Sequence, residues 1–284
     1  MRKAAGFLLL ALALCLMPVF ACVTETQVQI SGSPVIDRIL SRGELIVGTV
    51  GNMPPLNMIT REGDIIGLEA DMAAYLATSM GVKLRFETMP FSDLLPALEN
   101  GKIDMILSGM TITPDRNLRV AFIGPYFVSG KSILTKIPTL DGVKDPSEIN
   151  TPDTTLTTLE NSTSELFVKK FIPNARLVTV KDYDQAVNLV LRNEADAMIA
   201  DYPVCVVYAL RHPDENLVAL VSTFTYEPIG VALPKNDPLL MNWMQNTLSA
   251  IEDNGELEEM RVRWFEDDSW LSRLPPASGH PPTD

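Results

Sequence analysis

Signals for short apolar strands and amphipathic helices alternate along most of this chain, and the alternation occurs twice. The first set has strand-like segments at 45–49, 83–88 and 103–107, and the second set has them at 154–159, 177–180 and 197–200. Helical spacing of apolar residues separates the strands in both sets, as at 68–80, 162–171 and 183–193. A β-α-β order predicts a mainly parallel sheet with helices on both faces. The chain is therefore predicted to form two α/β units.

The order of the last strands predicts how the two units are connected. A strand at 132–135 leaves the first unit, and a strand at 229–234 returns to it before one or two helices at 238–265. We therefore expect lobe one to comprise residues 36–130 plus 228–267 and lobe two to comprise residues 131–227. Two crossover segments then form a hinge, and ligands of open α/β sheets bind in the cleft beyond the carboxyl ends of strands.

The two ends of the chain have a different composition. Residues 1–21 combine Arg2 and Lys3 with an apolar run at 7–16 and small residues before Cys22, which predicts a secretory signal peptide. The alternative of an uncleaved membrane anchor requires a longer apolar run. Residues 22–35 are predicted to be a flexible tether, and residues 268–284 a disordered Pro-rich tail.

Cysteine use and charge limit the partners of the chain. Cleavage after residue 21 leaves Cys22 first, in a sequence similar to a bacterial lipobox, so a lipidated Cys22 and an ordinary secreted protein both stay open. Cys205 is alone in an apolar run and is predicted to be buried. The formal net charge of −13 argues against nucleic acid and anionic membrane surfaces as partners.

One stretch combines the elements of an anion site. Thr113-Pro114-Asp115 reads as a helix start, with a hydroxyl cap followed by proline at the first helical position. Arg116 follows, where backbone N–H groups already favour an anion, and its planar fork matches a carboxylate. Thr111 can donate a hydroxyl, and Gly109 allows close approach to the backbone. The alternative is a surface ion pair between Arg116 and Asp115 or a neighbouring acid.

A carboxylate occupies the corresponding place in the second unit. Asp201 directly follows the strand at 197–200 and would suit an ammonium group. A cation at one side of the cleft and an anion at the other match the two charges of an amino-acid head group.

Several motifs extend this interpretation to a family. The segments GELIVGT, GLEADMAAYLA, GKIDMILSGMTITPDR, ADAMIADYP and RVRWF stand between residues 43 and 265. With them the chain resembles bacterial extracellular solute-binding proteins of the polar amino-acid ABC transporter type, family 3. The resemblance implies a two-lobed α/β fold of the type II periplasmic-binding-protein class, shared with the ligand core of ionotropic glutamate receptors.

The resemblance also implies roles for individual residues. Arg116 corresponds to the arginine that grips the ligand α-carboxylate, and Asp201 to the aspartate that binds the α-ammonium. A turn in the second lobe adds donors, although Asn161 replaces its usual glycine. The implied ligand-binding residues are Gly109, Thr111, Arg116, Ser162, Thr163 and Asp201.

The positions that would line the side-chain pocket are apolar. They are Val50, Met53, Phe91, Leu159 and Ala200, with Ser164 as the nearby hydroxyl. Because none of the five can pair with a charge, the sequence predicts a neutral amino acid as ligand. Two alternatives stay open: Met53 and Phe91 are ordinary core residues, or an unplaced acid such as Asp64 or Glu227 reaches the pocket.

The sequence therefore predicts a periplasmic or extracellular monomer that captures an amino acid and delivers it to an ABC permease. We expect no cofactor and no metal, since His212 and His280 are the only histidines and no zinc, phosphate-loop or serine-nucleophile pattern occurs. One alternative is a cyclohexadienyl or arogenate dehydratase of the same fold, with Glu160 as the general acid. Another is a module that presents ligand to a sensor or chemoreceptor.

Overall fold

A computed structural model describes residues 32–136, 140, 142–221 and 223–276. The predicted signal peptide, Cys22 and most of the predicted tether lie outside the described residues, as do residues 277–284 with His280.

Helices and strands alternate along this part of the chain. The α-helices are α1 Pro34–Arg42, α2 Leu68–Met80, α3 Phe91–Glu99, α4 Pro114–Asn117, α5 Thr163–Phe171, α6 Tyr183–Leu191, α7 Tyr202–Arg211, α8 Pro238–Asp253 and α9 Glu256–Phe265. The strands are β1 Glu44–Thr49, β2 Asn52–Met53, β3 Asn57–Ile59, β4 Ile65–Ile66, β5 Lys83–Thr88, β6 Met105–Ile106, β7 Ala121–Ser129, β8 Lys131–Thr135, β9 Thr155–Leu159, β10 Arg176–Val180, β11 Ala197–Asp201, β12 Val218–Ala219 and β13 Glu227–Leu233. Short 3-10 helices add Pro146–Ile149, Pro213–Glu215 and Ser269–Arg273.

The strands of the described residues form two five-stranded sheets and a small three-stranded one. The first large sheet has the order β5-β1-β6-β13-β7, and the second has the order β10-β9-β11-β8-β12. In the first sheet β1 is parallel to β5 and β6, whereas β13 is antiparallel to β6 and β7. The sheets are therefore mixed rather than mainly parallel, because each one includes strands that connect it to the other.

The chain passes between the two large sheets at two adjacent places. It leaves the first sheet at the end of β7 and enters the second at β8, and it returns along β13, whose first residue Glu227 pairs with Ser129. The strands follow the predicted lobe ranges, except that Glu227, assigned to lobe two, begins a strand of the first sheet. The lobe boundaries themselves stay a prediction.

Local sequence signals account for several element ends. Gly81 ends α2 with a φ of 68°, in the left-handed region that glycine tolerates. Asp182 caps α6 by accepting from the N–H of Gln185. The helix after Pro90 begins at Phe91. This start brings Phe91 into the first turn of α3.

The predicted tether ends earlier than expected. Ser33 caps α1, and its hydroxyl also donates to the Asp237 carboxylate at 2.7 Å. The N–H of Val35 donates to the same carboxylate at 2.9 Å, and Val35 is buried. Residues 33–35 thus belong to the folded part. The Ser33-Pro34 pair is the same kind of helix start as Thr113-Pro114, but the polar composition around it concealed the signal.

The predicted disordered tail also begins too early. Residues 269–273 form a 3-10 helix, and Trp270 is buried with its ring centre 5.9 Å from that of Trp264. Leu274 is buried as well. Two large apolar side chains hold this segment to the fold, although its average composition is that of a disordered tail.

Candidate functional site

The loop from β6 to α4 carries the predicted carboxylate site. The hydroxyl of Thr113 accepts a hydrogen bond from the N–H of Arg116 at 3.2 Å, and Pro114 is the first helical residue. The helix start predicted from these residues is therefore confirmed. The helix ends after four residues, so Arg116 lies on a single turn with a small dipole.

Arg116 points into the protein, with 8% of its surface exposed. Its Nη1 donates to the carbonyl oxygen of Thr111 at 2.9 Å, and its Nη2 donates to that of Asn161 at 3.3 Å. The guanidinium carbon lies 5.3 Å from the centre of the Phe91 ring, a cation–π contact. Asp115 is exposed, so a surface ion pair with Arg116 does not describe the structure.

The charge of Arg116 is only distantly compensated. Burial lowers its pKa to about 10, and the negative charges of Glu227 and Asp201 act in the opposite direction. The side chain is therefore protonated at neutral pH. Its hydrogen bonds within the described residues go to carbonyl oxygens, not to a carboxylate. A buried cation in this state favours an added anion.

The turn between β9 and α5 places the second lobe's donors. Asn161 has a φ of 57°, a left-handed conformation that asparagine adopts more readily than most residues. The replacement of the usual glycine by Asn161 thus preserves the turn. The hydroxyl of Thr163 lies 3.3 Å from that of Thr111, so the two implied threonines meet across the cleft.

Ser162 has a structural role in the same turn. Its hydroxyl donates to the carbonyl oxygen of Leu159 at 2.6 Å and accepts from the N–H of Glu165 at 3.2 Å. It therefore caps α5. Thr163, rather than Ser162, is the hydroxyl that faces Thr111.

The acidic side of the cleft contains an ion cluster. Nζ of Lys131 lies 2.9 Å from Oδ1 of Asp201 and 3.6 Å from Oε2 of Glu227, and all three side chains are at least nine-tenths buried. Burial acts to raise the pKa of Glu227, but Lys131 and the hydroxyls of Thr225, Thr111 and Thr163 outweigh it and lower the pKa. Glu227 thus approaches the hydroxyls of Thr111 and Thr163, and the carbonyl oxygen of Thr111 accepts from Arg116.

Gly109 and Met53 lie together on the lobe-one side. A Cβ at Gly109 would stand 2.0 Å from the sulfur of Met53, and Gly109 has a φ of 58°. Its N–H donates to the Glu69 carboxylate at 2.6 Å. The sequence predicted that Gly109 leaves room for a ligand, whereas in the structure this room is filled by Met53 and the N–H is used by Glu69.

Most of the predicted apolar pocket residues are buried. Met53, Phe91, Leu159 and Ala200 are each at most 5% exposed. Val50 lines a cavity of about 770 Å³ that also borders α6, α7 and residues 274–276. The Ser164 hydroxyl is buried and has no hydrogen-bond partner among the described residues.

The remaining candidates lie in the second lobe. Cys205 is buried, as predicted, and burial raises the pKa of its thiol above the usual range. His212 is buried with Nδ1 2.9 Å from the carbonyl oxygen of Tyr208. The described ranges hold no cluster of three or more His, Cys, Asp or Glu side chains fit for a metal ion. Nor do they contain a helix with the length and apolarity needed to cross a membrane.

Sequence reasoning did not assign a role to Lys131 or Glu69, and it named Glu227 only as an unplaced acid. Each is a charged residue within an otherwise buried pattern: Lys131 begins the buried strand β8, and Glu69 follows Leu68 on the buried side of α2. A charged residue at a position predicted to be buried was therefore the signal that the sequence offered for these sites. Their partners come from distant parts of the chain, so the sequence alone did not identify them.

The protein has two large sheets joined by two crossovers, and charged groups from both sheets meet at one cleft. These features define the class of two-lobed binding proteins. A family model of bacterial extracellular solute-binding proteins, family 3, matches residues 45–267. The chain belongs to this family.

Individual relatives support both the fold and the family. A structure described as the putative binding component of an ABC transporter from Wolinella succinogenes, complexed with lysine, is 39% identical with a TM-score of 0.77 and covers 81% of this chain and 99% of that one. A glutamine-binding protein from Geobacillus stearothermophilus is 28% identical over 79% of this chain and 84% of its own. A cyclohexadienyl dehydratase from Pseudomonas aeruginosa is 27% identical over 81% of this chain and 86% of its own. The predicted two-lobed α/β fold is confirmed.

Proposed function

We propose that this protein captures a free amino acid between its two lobes and delivers it to the permease of an ABC transporter. The observation that carries the proposal is the buried Arg116, whose guanidinium is fixed by Phe91 and two carbonyl oxygens but forms no ion pair with any of the residues that the structure describes. A ligand carboxylate would complete its coordination. The hydroxyls of Thr111 and Thr163 would donate to the same carboxylate, and Asp201 would accept from the ligand ammonium.

The delivery step and the location rest on the family. Family members are extracellular solute-binding proteins, and the glutamine-binding and lysine-bound relatives fit a role in uptake. We place the mature chain in the periplasm or outside the cell as a monomer. Export would use the signal peptide at residues 1–21, and a lipid on Cys22 would tether the protein to the membrane.

The ligand side chain is proposed to be neutral. Met53, Phe91, Leu159 and Ala200 offer no group that pairs with a charge, and burial of an unpaired charge costs several kcal/mol. Glu227 is the acid that could oppose this, but the hydroxyls of Thr225, Thr111 and Thr163 already bond to it, and Lys131 lies 3.6 Å away. A thermal-shift panel of the common amino acids tests the proposal. The largest stabilisation is expected from a neutral amino acid, and a larger one from lysine or arginine would contradict it.

Native mass spectrometry of the freshly purified protein tests the function itself. We expect a retained amino acid, or binding of one on addition, with a single site by calorimetry. Absence of binding across the common amino acids would refute the proposal.

The dehydratase relative favours one second candidate, an enzyme of the same fold. Glu160 would be its general acid, and its carboxylate accepts from the Ser92 hydroxyl at 3.1 Å between α3 and the β9–α5 turn. Conversion of prephenate or arogenate by the purified protein would support this candidate. Binding of amino acids without conversion would favour the transport role, or presentation of the ligand to a sensor.

A further inference from the structure

Two charged residues of the cleft have no place in the head-group contacts described so far. Lys131 is 1% exposed and follows Gly130 at the first crossover, and Glu227 is 7% exposed and begins β13 at the second. Burial of a lysine and a glutamate this deep in the protein must be offset by favourable interactions, because transfer of either charge from water is unfavourable.

Hydrogen bonds tie the two residues to each other and to the cleft. Thr225 donates its hydroxyl to Glu227 at 2.9 Å and accepts from the N–H of Lys131 at 3.0 Å. Lys131 and Asp201 are direct cross-strand partners on β8 and β11, which holds the ammonium against the carboxylate. Thr111 lies beside β13 through its bridge to Ile229. Strand pairing and hydrogen bonds therefore hold the cluster in place on both sides of the hinge.

The formal charges of the cleft are balanced by this cluster. Arg116 and Lys131 contribute two positive charges, and Asp201 and Glu227 contribute two negative charges. Asp201 alone would offset Arg116, so Lys131 and Glu227 form an additional pair whose sum is zero. A bound head group adds its own charge to this sum in a buried place, where an uncompensated charge is costly.

We infer that Lys131 and Glu227 set the charge class of the ligand head group. With both present, the cleft accepts a head group that carries a carboxylate and an ammonium together and rejects a ligand with only one of them. Loss of Lys131 leaves the cleft negative and favours an amine. Loss of Glu227 leaves it positive and favours a carboxylate without an amino group. The inference rests on the proposed function, because it concerns the same site.

Calorimetry with matched ligands tests the inference. One series is L-leucine, 4-methylpentanoate, which lacks the amino group, and 3-methylbutylamine, which lacks the carboxylate. The other is L-arginine, 5-guanidinopentanoate and agmatine. The series used is that of the amino acid that the natural protein binds; for any other amino acid, the series consists of that amino acid, its deaminated acid and its decarboxylated amine. We expect the amino acid to bind at least about 100-fold more tightly than either partial ligand.

The variants should shift this discrimination in opposite directions. In Lys131→Met the affinity for the amine, relative to that for the deaminated acid, should rise at least about tenfold. In Glu227→Gln the affinity for the deaminated acid, relative to that for the amine, should rise by a similar factor. The double variant restores the balance and should return both ratios towards those of the natural protein. Lys136→Met and Glu215→Gln change a comparable pair, 3.2 Å apart and partly exposed, and should leave the ratios unchanged.

The outcomes separate this inference from the function on which it rests. If the natural protein binds none of the common amino acids, the proposed function fails and the inference fails with it. If it binds one but the two single variants shift the ratios in the same direction or not at all, only the inference is overturned. Should Lys131→Met fail to fold, Glu227→Gln decides alone, because it keeps the Lys131–Asp201 pair; an unchanged ratio in that variant refutes the inference.

Discussion

At the scale of single residues, Arg116 combines two features that normally conflict. It lies in the first turn of a helix, where the backbone already carries positive partial charge, and it is buried. The structure makes this tolerable by directing the guanidinium away from α4, towards the face of Phe91 and the carbonyl oxygens of Thr111 and Asn161. Carbonyl oxygens and an aromatic face hold the cation without neutralising it.

Replacement of Arg116 by lysine tests the importance of the planar fork. Arg116→Lys keeps the charge but loses the bidentate geometry and the stacking on Phe91, so amino-acid affinity should fall about tenfold or more, or roughly 1.4 kcal/mol. Calorimetry measures the change. Arg119→Lys is the matched control, because Arg119 pairs with Glu99 on the exposed surface. Equal affinities for the natural protein and Arg116→Lys would rule out a carboxylate at Arg116.

Glu69 predicts a pH dependence of stability. Burial raises its pKa, although hydrogen bonds from Gly109, Tyr126 and Asn57 act to lower it. A carboxyl group with a raised pKa in the folded state binds protons more readily there than in the unfolded chain, so the folded state gains stability as the pH falls through that range.

The Glu69→Gln variant isolates this contribution. Because glutamine does not titrate, the free energy of unfolding of the natural protein, relative to that of Glu69→Gln, should increase as the pH is lowered from 7 towards 4.5. Below the unfolded-state pKa the difference should become constant. Urea unfolding at a series of pH values measures it, and parallel curves for the two proteins would contradict the assignment.

At the scale of elements, the β9–α5 turn depends on one backbone conformation. Asn161 has a φ of 57°, and its carbonyl oxygen accepts from Arg116. Asn161→Gly should preserve the turn, whereas Asn161→Ala should destabilise the fold by roughly 1 kcal/mol and weaken ligand binding. Urea unfolding and calorimetry test the two effects.

A second asparagine provides the control. Asn193 has a φ of 58° in the turn after α6, which contains none of the proposed site residues. Asn193→Ala should lower the free energy of unfolding by a similar amount and leave the ligand affinity unchanged. If Asn161→Ala bound ligand as tightly as Asn161→Gly, the turn would have no part in the site.

The elements also show which signals a sequence carries. Thr113-Pro114 and Gly81 mark helix ends through chemistry within four residues, so their positions could be predicted. Ser33-Pro34 carries the same signal, but its polar surroundings favoured a tether. The cluster of Lys131 and Glu227 could not be derived in this way, because it joins strands 96 residues apart in the sequence (131 against 227). Hydrophobic periodicity specifies burial and not the partner of a buried charge.

At the scale of the whole molecule, the two lobes are in contact through polar groups of the site. Thr111 meets Thr163, and Arg116 meets Asn161. Two crossovers, at the end of β7 and the start of β13, run side by side as paired strands. Such a pair forms a hinge that allows the lobes to open and close as units.

Ligand binding should therefore favour the arrangement in which the two lobes are closed. Addition of a bound amino acid is expected to reduce the radius of gyration in small-angle scattering, because contacts to both lobes favour closure. Asp201→Asn, which removes the proposed ammonium partner, should need a higher ligand concentration for the same change. An unchanged radius of gyration at saturating ligand would refute closure by the hinge.

The segment after α9 has a practical consequence for reporter design. Arg61 of the first lobe donates to the carbonyl oxygens of Arg273 and Leu274, at 3.0 and 2.8 Å, and Arg211 of α7 donates to that of Pro275 at 3.0 Å. The segment thus touches both lobes away from the head-group contacts. An environment-sensitive dye attached through a cysteine at position 275 would report separation of the lobes, and one attached to α8 would serve as its silent reference.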